Sequence, residues 1–331
     1  MKKTLFFVLI AFVLSTLSCS NDFDVTTGWK DIPVVYGLLN LEDAAHYIRV
    51  EKAFLDPKAN ALDIARIPDS LYYENAVVQL ERNNQVFTLT KVDGNLEGLP
   101  RESGVFAEAP NWLYKIDSAV IKLQEGDKIR LRIQRGDGLT DVTAETVILK
   151  PSRLKIPAPS GGTFRFDYDR PSRLTWEADP AARIFDAKLV IRYAEYEIAN
   201  PAGIQKKAIT WNWGRGVRNP ENQVNLTLEK SGTEFYELLK NNIPVNPAMK
   251  RIFEGIDVVV TGGGESLEKY VNVSLANTGI TGSQELPSYT NLSEGRGIFS
   301  SLNELMVEKL LLNASTWDSL RNGVITKDLN F

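Results

Sequence analysis

The sequence has very little of two residues that often carry chemistry, with one cysteine (Cys19) and one histidine (His46) among 331 residues. A single cysteine cannot form an internal disulfide, and structural zinc sites need several Cys or His ligands. A serine–histidine or cysteine–histidine catalytic pair would have to use His46. We interpret His46 as an edge or turn residue, because it stands at the start of a predicted strand. The sequence therefore predicts no catalytic residues of these classes, no metal and no cofactor.

An excess of positive charge is also missing. The chain has 38 Lys and Arg against 42 Asp and Glu, for a formal net charge of −4. Nucleic-acid-binding proteins usually carry a basic face, so nucleic acid is not an expected partner. The hydrophobic content of 43% is ordinary for a globular protein, and the length favours two domains.

The sequence has no apolar run long enough to span a bilayer, which takes about 20 residues. The longest run, residues 5–14, follows Lys2 and Lys3. A positive start followed by a short apolar run is typical of a secretory signal peptide. We therefore predict that residues 1–18 are a signal peptide.

Residues 14–19, Leu-Ser-Thr-Leu-Ser-Cys, resemble a bacterial lipobox, although Thr16 stands where leucine is usual. The resemblance implies a lipid on Cys19 that holds the protein to a membrane. Asp22 and Asp24 follow, and acidic residues at this place resemble the signal that exports Bacteroidota lipoproteins to the cell surface. We expect an outer-membrane protein facing the cell exterior. The alternative is an ordinary signal peptide with an incidental cysteine.

The mature chain is predicted to be mainly β. Residues 128–133 alternate between charged and apolar side chains, the period of a half-buried strand, and Asn83 and Asn84 suit a hairpin turn between two other strands. After a tether at 19–31, short strands predict a β-sandwich domain at 32–150. A Pro/Gly-rich junction then begins a second sandwich at 151–300, where Leu174 and Trp176 resemble a fibronectin III-like core. Residues 301–331 are expected to form a C-terminal tail.

Two helices are expected within this β pattern. The first lies near residues 233–241 and is capped from Ser231; the second follows Ser315 as its N-cap in the tail. Residues 258–266 resemble a strand entering a glycine-rich phosphate loop, but they lack the G-x-G-x-x-G spacing. We interpret them as a hairpin loop before another strand at residues 270–275.

A candidate binding surface lies around two tryptophans. Trp211 and Trp213 are two residues apart on a predicted strand, so they face the same side, and Arg215 and Arg218 follow them. Two exposed rings could stack on a carbohydrate or a peptide. The alternative is that both rings fill a core.

Short motifs add two further expectations. Ser70, Ser118 and Ser319 each follow an aspartate in a pattern that matches O-glycosylation acceptors of exported Bacteroidota proteins. Arg135-Gly136-Asp137 matches an adhesion tripeptide, but it falls between two predicted strands, so we interpret it as a turn.

Residues 291–299, with the pattern N-x-x-x-G-x-G-x-F, resemble a segment near the end of a family of uncharacterised Bacteroidota lipoproteins. Members of that family often lie beside TonB-dependent transporters. The resemblance implies a non-catalytic binding or accessory subunit of an outer-membrane β-barrel transporter. Two alternatives stay open: a structural subunit of an envelope assembly or secretion complex, and a carbohydrate-active enzyme with two carboxylates.

Overall fold

The computed structural model describes residues 31–53, 61–276 and 288–331, and it is mainly β, as predicted. The strands are β1 (Ile32–Leu39), β2 (Ala45–Ala53), β3 (Val77–Arg82), β4 (Gln85–Thr88), β5 (Thr90–Asp93), β6 (Trp112–Asp117), β7 (Lys128–Gln134), β8 (Val142–Val147), β9 (Arg153–Ile156), β10 (Thr163–Phe164), β11 (Pro171–Glu177), β12 (Ile184–Glu197), β13 (Asn200–Arg218), β14 (Asn225–Ser231), β15 (Met249–Gly263) and β16 (Arg296–Leu312). The helices are α1 (Ala61–Ala65), α2 (Pro68–Leu71), α3 (Ser118–Ile121), α4 (Gly232–Asn242), α5 (Glu265–Ala276) and α6 (Ala314–Asn322).

One large sheet runs through the molecule in the order β13-β12-β15-β16-β1-β2-β6-β5, and β10 also pairs with β16. A sheet of β4-β3-β7-β8 and a sheet of β14-β11-β9 are separate from it. The long strand β16 joins the two halves of the large sheet, because its first residues run parallel to β1 and its later residues run antiparallel to β15.

The first of two hydrophobic cores is built mainly from residues 35–148. It combines side chains of the large sheet, such as Val35 and Ile48, with side chains of the four-stranded sheet, such as Leu80 and Leu131. It also contains Leu292 and Phe299, which come from much later in the chain. The first half of the molecule is therefore completed by residues from the end of the sequence.

The second core extends from Leu149 to Phe331 and is rich in aromatic rings. The Phe166 ring stacks on Phe235 with centroids 4.2 Å apart, and Trp176 is fully buried against Phe185. Residues 301–331 contribute five fully or almost fully buried side chains to this core, so they are not a separate tail. These side chains are Leu305, Leu310, Leu320, Leu329 and Phe331.

Local signals in the sequence explain several elements. The residues of β7 alternate between exposed and buried, and Asn83 and Asn84 both have positive φ in the turn between β3 and β4. Helix α4 begins with the capping box formed by Ser231 and Glu234. The C-terminal helix is confirmed, but its predicted N-cap was wrong: Asn313 is the cap, and its side chain accepts from the backbone N–H of Thr316.

Candidate functional site

We call the part of the molecule built around the first core the first half, and the part built around the second core the second half. The two halves meet at residues 288–301, which we call the junction segment. The side-chain amide of Asn291 fixes the conformation of this segment, because it pairs with the backbone of Phe299 in the way that a neighbouring strand would. Its Oδ1 accepts from the Phe299 N–H at 3.0 Å, and its Nδ2 donates to the Phe299 carbonyl at 2.6 Å. Ser293 ties the segment to β8, because its N–H donates to the Thr143 carbonyl and its hydroxyl accepts from the Thr143 N–H, both at 2.8 Å.

Two glycines let the junction segment lie against β1. Gly295 and Gly297 have φ of 100° and 107°, where residues with a Cβ are strained. A Cβ at Gly297 would stand 1.9 Å from the Val35 carbonyl oxygen, and one at Gly295 would stand 2.2 Å from the Pro33 carbonyl oxygen. Phe299 then enters the first core with no exposed surface. The N-x-x-x-G-x-G-x-F pattern is thus explained by packing.

A cavity of about 250 Å³ opens beside this segment, between the end of β8 and the start of α5. We call it the junction cavity. Ser300 lines it and is 1% exposed, yet its hydroxyl has no hydrogen-bond partner in the described part of the chain. A buried hydroxyl without a partner costs about 1–3 kcal/mol, so such groups often mark a place that a ligand or water completes.

The walls of the junction cavity carry both signs of charge. Arg183 and the exposed Glu145 and Glu265 line it together with Gly264 and Ser266. A hydrogen bond from Lys269, at 2.6 Å, and the charge of Lys269 hold the pKa of Glu265 below its usual value. Glu265 is therefore ionised at neutral pH and is already paired with a neighbouring cation.

The glycine-rich stretch before α5 departs from our expectation of a hairpin loop. Residues 265–276 form helix α5, and the predicted strand at 270–275 was wrong. Val271 and Val273 alternate with polar residues, which suggested a strand, but Leu267, Tyr270, Val271 and Ser274 have helical spacing. The structure thus has a strand, a buried glycine (Gly264) and a helix N-terminus in succession at the cavity.

The candidate binding surface at the two tryptophans is not exposed, and the alternative that both rings fill a core is confirmed. Trp211 and Trp213 are 7% and 5% exposed and belong to the second core, where Trp211 packs on Phe166 and Phe235. They do face the same side of β13, but that side is the inner one. Arg215 and Arg218 are exposed, and Arg218 donates to Asn272 of α5.

The single histidine is buried. His46 is 1% exposed, and its Nε2 lies 3.1 Å from the Ser118 hydroxyl. That hydroxyl also donates to the Asp43 carbonyl, and His46 Nδ1 has no hydrogen-bond partner among the described residues. No carboxylate therefore orients the ring as a catalytic triad requires. The edge or turn position expected for His46 was wrong, because it lies on the inner face of β2, which pairs with β1 on one side and with β6 on the other.

The three predicted glycosylation serines stay a prediction. Each lies in a short helix or at the start of one and is half-buried. The Ser70 hydroxyl donates to backbone carbonyls of Ile64 and Ile67, both at 2.6 Å. Ser118 contacts His46, and Ser319 lies in α6. Gly136 of the adhesion-like tripeptide has a positive φ between β7 and β8, which agrees with a turn, and Arg135 is 3% exposed, which leaves its side chain out of reach of a receptor.

Cys19, Asp22 and Asp24 lie outside the described residues. Within residues 31–53, 61–276 and 288–331, no helix has the length and apolar character to cross a bilayer. That same part of the chain brings together no group of three or more His, Asp and Glu side chains placed to hold a metal ion.

The chain matches no protein-family profile and no curated protein. Ser300 and Arg183 were missed in the sequence because they are remote from each other and neither stands in a motif. Only the resemblance of residues 258–266 to a strand entering a glycine-rich loop pointed to their neighbourhood.

Proposed function

We propose that the chain is a non-catalytic lipoprotein of the outer membrane that faces the cell exterior and acts as a binding subunit of an outer-membrane β-barrel transporter. The junction cavity carries this proposal, because a concave site where two packed units meet is a common place for small ligands to bind. The lipobox-like residues before Cys19 support the anchor. The proposal includes two fibronectin III-like sandwiches, supported by the buried Leu174 and Trp176.

The position of the anchor supports a partner in the membrane. Residues 20–31 separate Cys19 from β1, and 12 residues reach at most about 40 Å when fully extended. The first half of the protein would then stay close to the lipid surface, within reach of the loops of a membrane β-barrel. Several fatty chains on one residue anchor firmly, since each buried CH₂ contributes about 0.8 kcal/mol.

The anchor is tested with Cys19→Ser and, as a control that keeps the thiol, Ser20→Ala. We expect the control to fractionate with outer membranes and Cys19→Ser to leave them. A pull-down of the wild type in mild detergent, read by mass spectrometry, should recover a β-barrel transporter. Membrane retention of Cys19→Ser would refute the lipid anchor, and recovery of an assembly or secretion barrel would replace the transporter by the structural-subunit alternative.

A further inference from the structure

We propose that the junction cavity binds the carboxylate group of a small ligand. This inference rests on the proposed binding function and names the chemistry that the cavity would take. Ser300 is the first observation behind it, because the residue lines the cavity and its buried hydroxyl lacks a partner in the described part of the chain. That hydroxyl lies 3.5 Å from the point where a Cβ would stand on Gly264, so it faces the start of α5.

The start of α5 supplies further donors. The N–H of Gly264 donates to the Ser301 carbonyl at 3.2 Å, and the N–H of Glu268 donates to Gly264 at 3.0 Å. The N–H groups of the three residues between them have no acceptor within the helix. Helix N-termini carry a partial positive charge and bind anions through such groups. The free hydroxyl and the helix end therefore point to the same kind of ligand.

Arg183 adds a full positive charge to the same wall. Its Nη1 donates to the carbonyls of Asn219 and Pro220, at 3.5 and 3.4 Å, and to the Asn222 side chain. These acceptors are uncharged, and no carboxylate of the described residues lies within 4.0 Å of the guanidinium nitrogens. Arg183 is thus positioned by neutral groups, and its charge faces the cavity, where it also helps to lower the pKa of Glu265.

The two glutamates decide between kinds of anion. Glu145 and Glu265 stand at the cavity with their charges exposed, and they would repel a doubly charged phosphate more than a carboxylate. They can also accept hydrogen bonds from an ammonium group of the same ligand. A singly charged carboxylate, alone or in a small zwitterion, fits this distribution best.

The test uses the full-length protein in detergent with acetate, glycine and phosphate as probes, at constant ionic strength. Acetate or glycine should raise the thermal midpoint of the wild type and bind measurably in calorimetry. Ser300→Ala should fold, because it loses no hydrogen bond, and should weaken carboxylate binding about tenfold. Gly264→Ala should weaken it as well, since its methyl group would occupy the space in front of Ser300.

Ser301→Ala is the matched control. It is the next residue on β16 and equally buried, but its hydroxyl donates to the Val147 carbonyl. It should lower stability and leave carboxylate affinity unchanged. Binding of phosphate alone would overturn the carboxylate class, and wild-type affinity in Ser300→Ala would overturn the site. Neither result would touch the anchor or the membrane partner, which the fractionation and pull-down decide.

Discussion

The two halves of the molecule each bury an arginine, and they satisfy it differently. Arg251, in the second half, is 2% exposed and makes hydrogen bonds to Glu195, at 3.1 Å, and to the carbonyls of Leu329 and Pro244, at 2.6 and 2.9 Å. Arg135, in the first half, is 3% exposed, and its guanidinium makes no hydrogen bond within the described residues. Its nearest carboxylates, Asp137 and Glu294, stand 3.5 and 3.8 Å away.

The difference shows which of the two buried arginines is held by specific polar contacts. Arg251 ties β15 to β12 and to the C-terminal residues. Burial opposes ionisation of Glu195, but hydrogen bonds from Lys207 and Arg251 outweigh it and keep the pKa of Glu195 below its usual value. In the first half, Arg135 is attracted to the junction segment by charge alone. The first half should therefore depend on the packing of that segment more than on its buried charge.

The largest expected effect comes from the second half. Arg251→Met should lower the free energy of unfolding by about 3–5 kcal/mol, because it leaves two buried carbonyls without donors and removes one partner of a buried ion pair. Arg135→Met should change it by less than about 1 kcal/mol, since no hydrogen bond is lost and a similar volume is kept. Urea unfolding of both variants measures the difference.

An equal loss of unfolding free energy in Arg251→Met and Arg135→Met would show that the two buried arginines stabilise their halves to the same extent. A greater loss in Arg135→Met would mean that its longer ion pairs with Asp137 and Glu294 stabilise the first half strongly. The slope of the unfolding free energy against urea concentration should be the same in each variant as in the wild type, which checks that all three proteins unfold in the same transition.

The next effect concerns the junction segment. Gly297→Ala should destabilise the first half by about 1–3 kcal/mol from backbone strain, because a Cβ at this φ is strained. The clash of that Cβ with the Val35 carbonyl should add to this loss. Gly138→Ala is the control: its φ is 76°, and no atom lies within 4 Å of its Cβ position. It should cost only about 1–2 kcal/mol, the strain of the conformation.

Hydrogen exchange locates the effect of Gly297→Ala. Amides of β1 should exchange faster, and amides of β12 should keep their protection. A uniform increase across both strands would show that the two cores unfold as one unit.

How much of this could be read from the sequence depended on the range of the signal. The alternation in β7, the Asn83–Asn84 turn and the capping box at Ser231 are local, and they predicted their elements correctly. The pairing of β1 with β16 joins the two ends of the chain and leaves no local pattern. Two residues of equal character on one face of a strand, such as Trp211 and Trp213, do not reveal which face is buried.

The candidate site was harder to predict for the same reason. The hydroxyl of Ser300, the charge of Arg183 and the start of α5 come from three separate parts of the chain. The motif at residues 291–299 was recognised as a pattern, but its physical role required the positions of Pro33 and Val35.

The smallest expected effect is a pH dependence that belongs to the first half, because His46 is the only histidine in the chain. Burial lowers the pKa of His46 from 6.5, and the charge of Asp43 raises it by less. The unfolded chain therefore binds a proton at a higher pH than the folded one. Stability is complete above about pH 6.5 and falls as the pH drops from there towards the folded pKa, by at most about 1.4 kcal/mol per pH unit.

His46→Gln should remove this part of the decline. Urea unfolding of both proteins between about pH 7.5 and 5 measures it, since the carboxylates contribute equally to the two curves. Parallel curves would show that the folded protein accepts the proton on His46 at no cost, and that the first half tolerates a buried charge there as it does at Arg135.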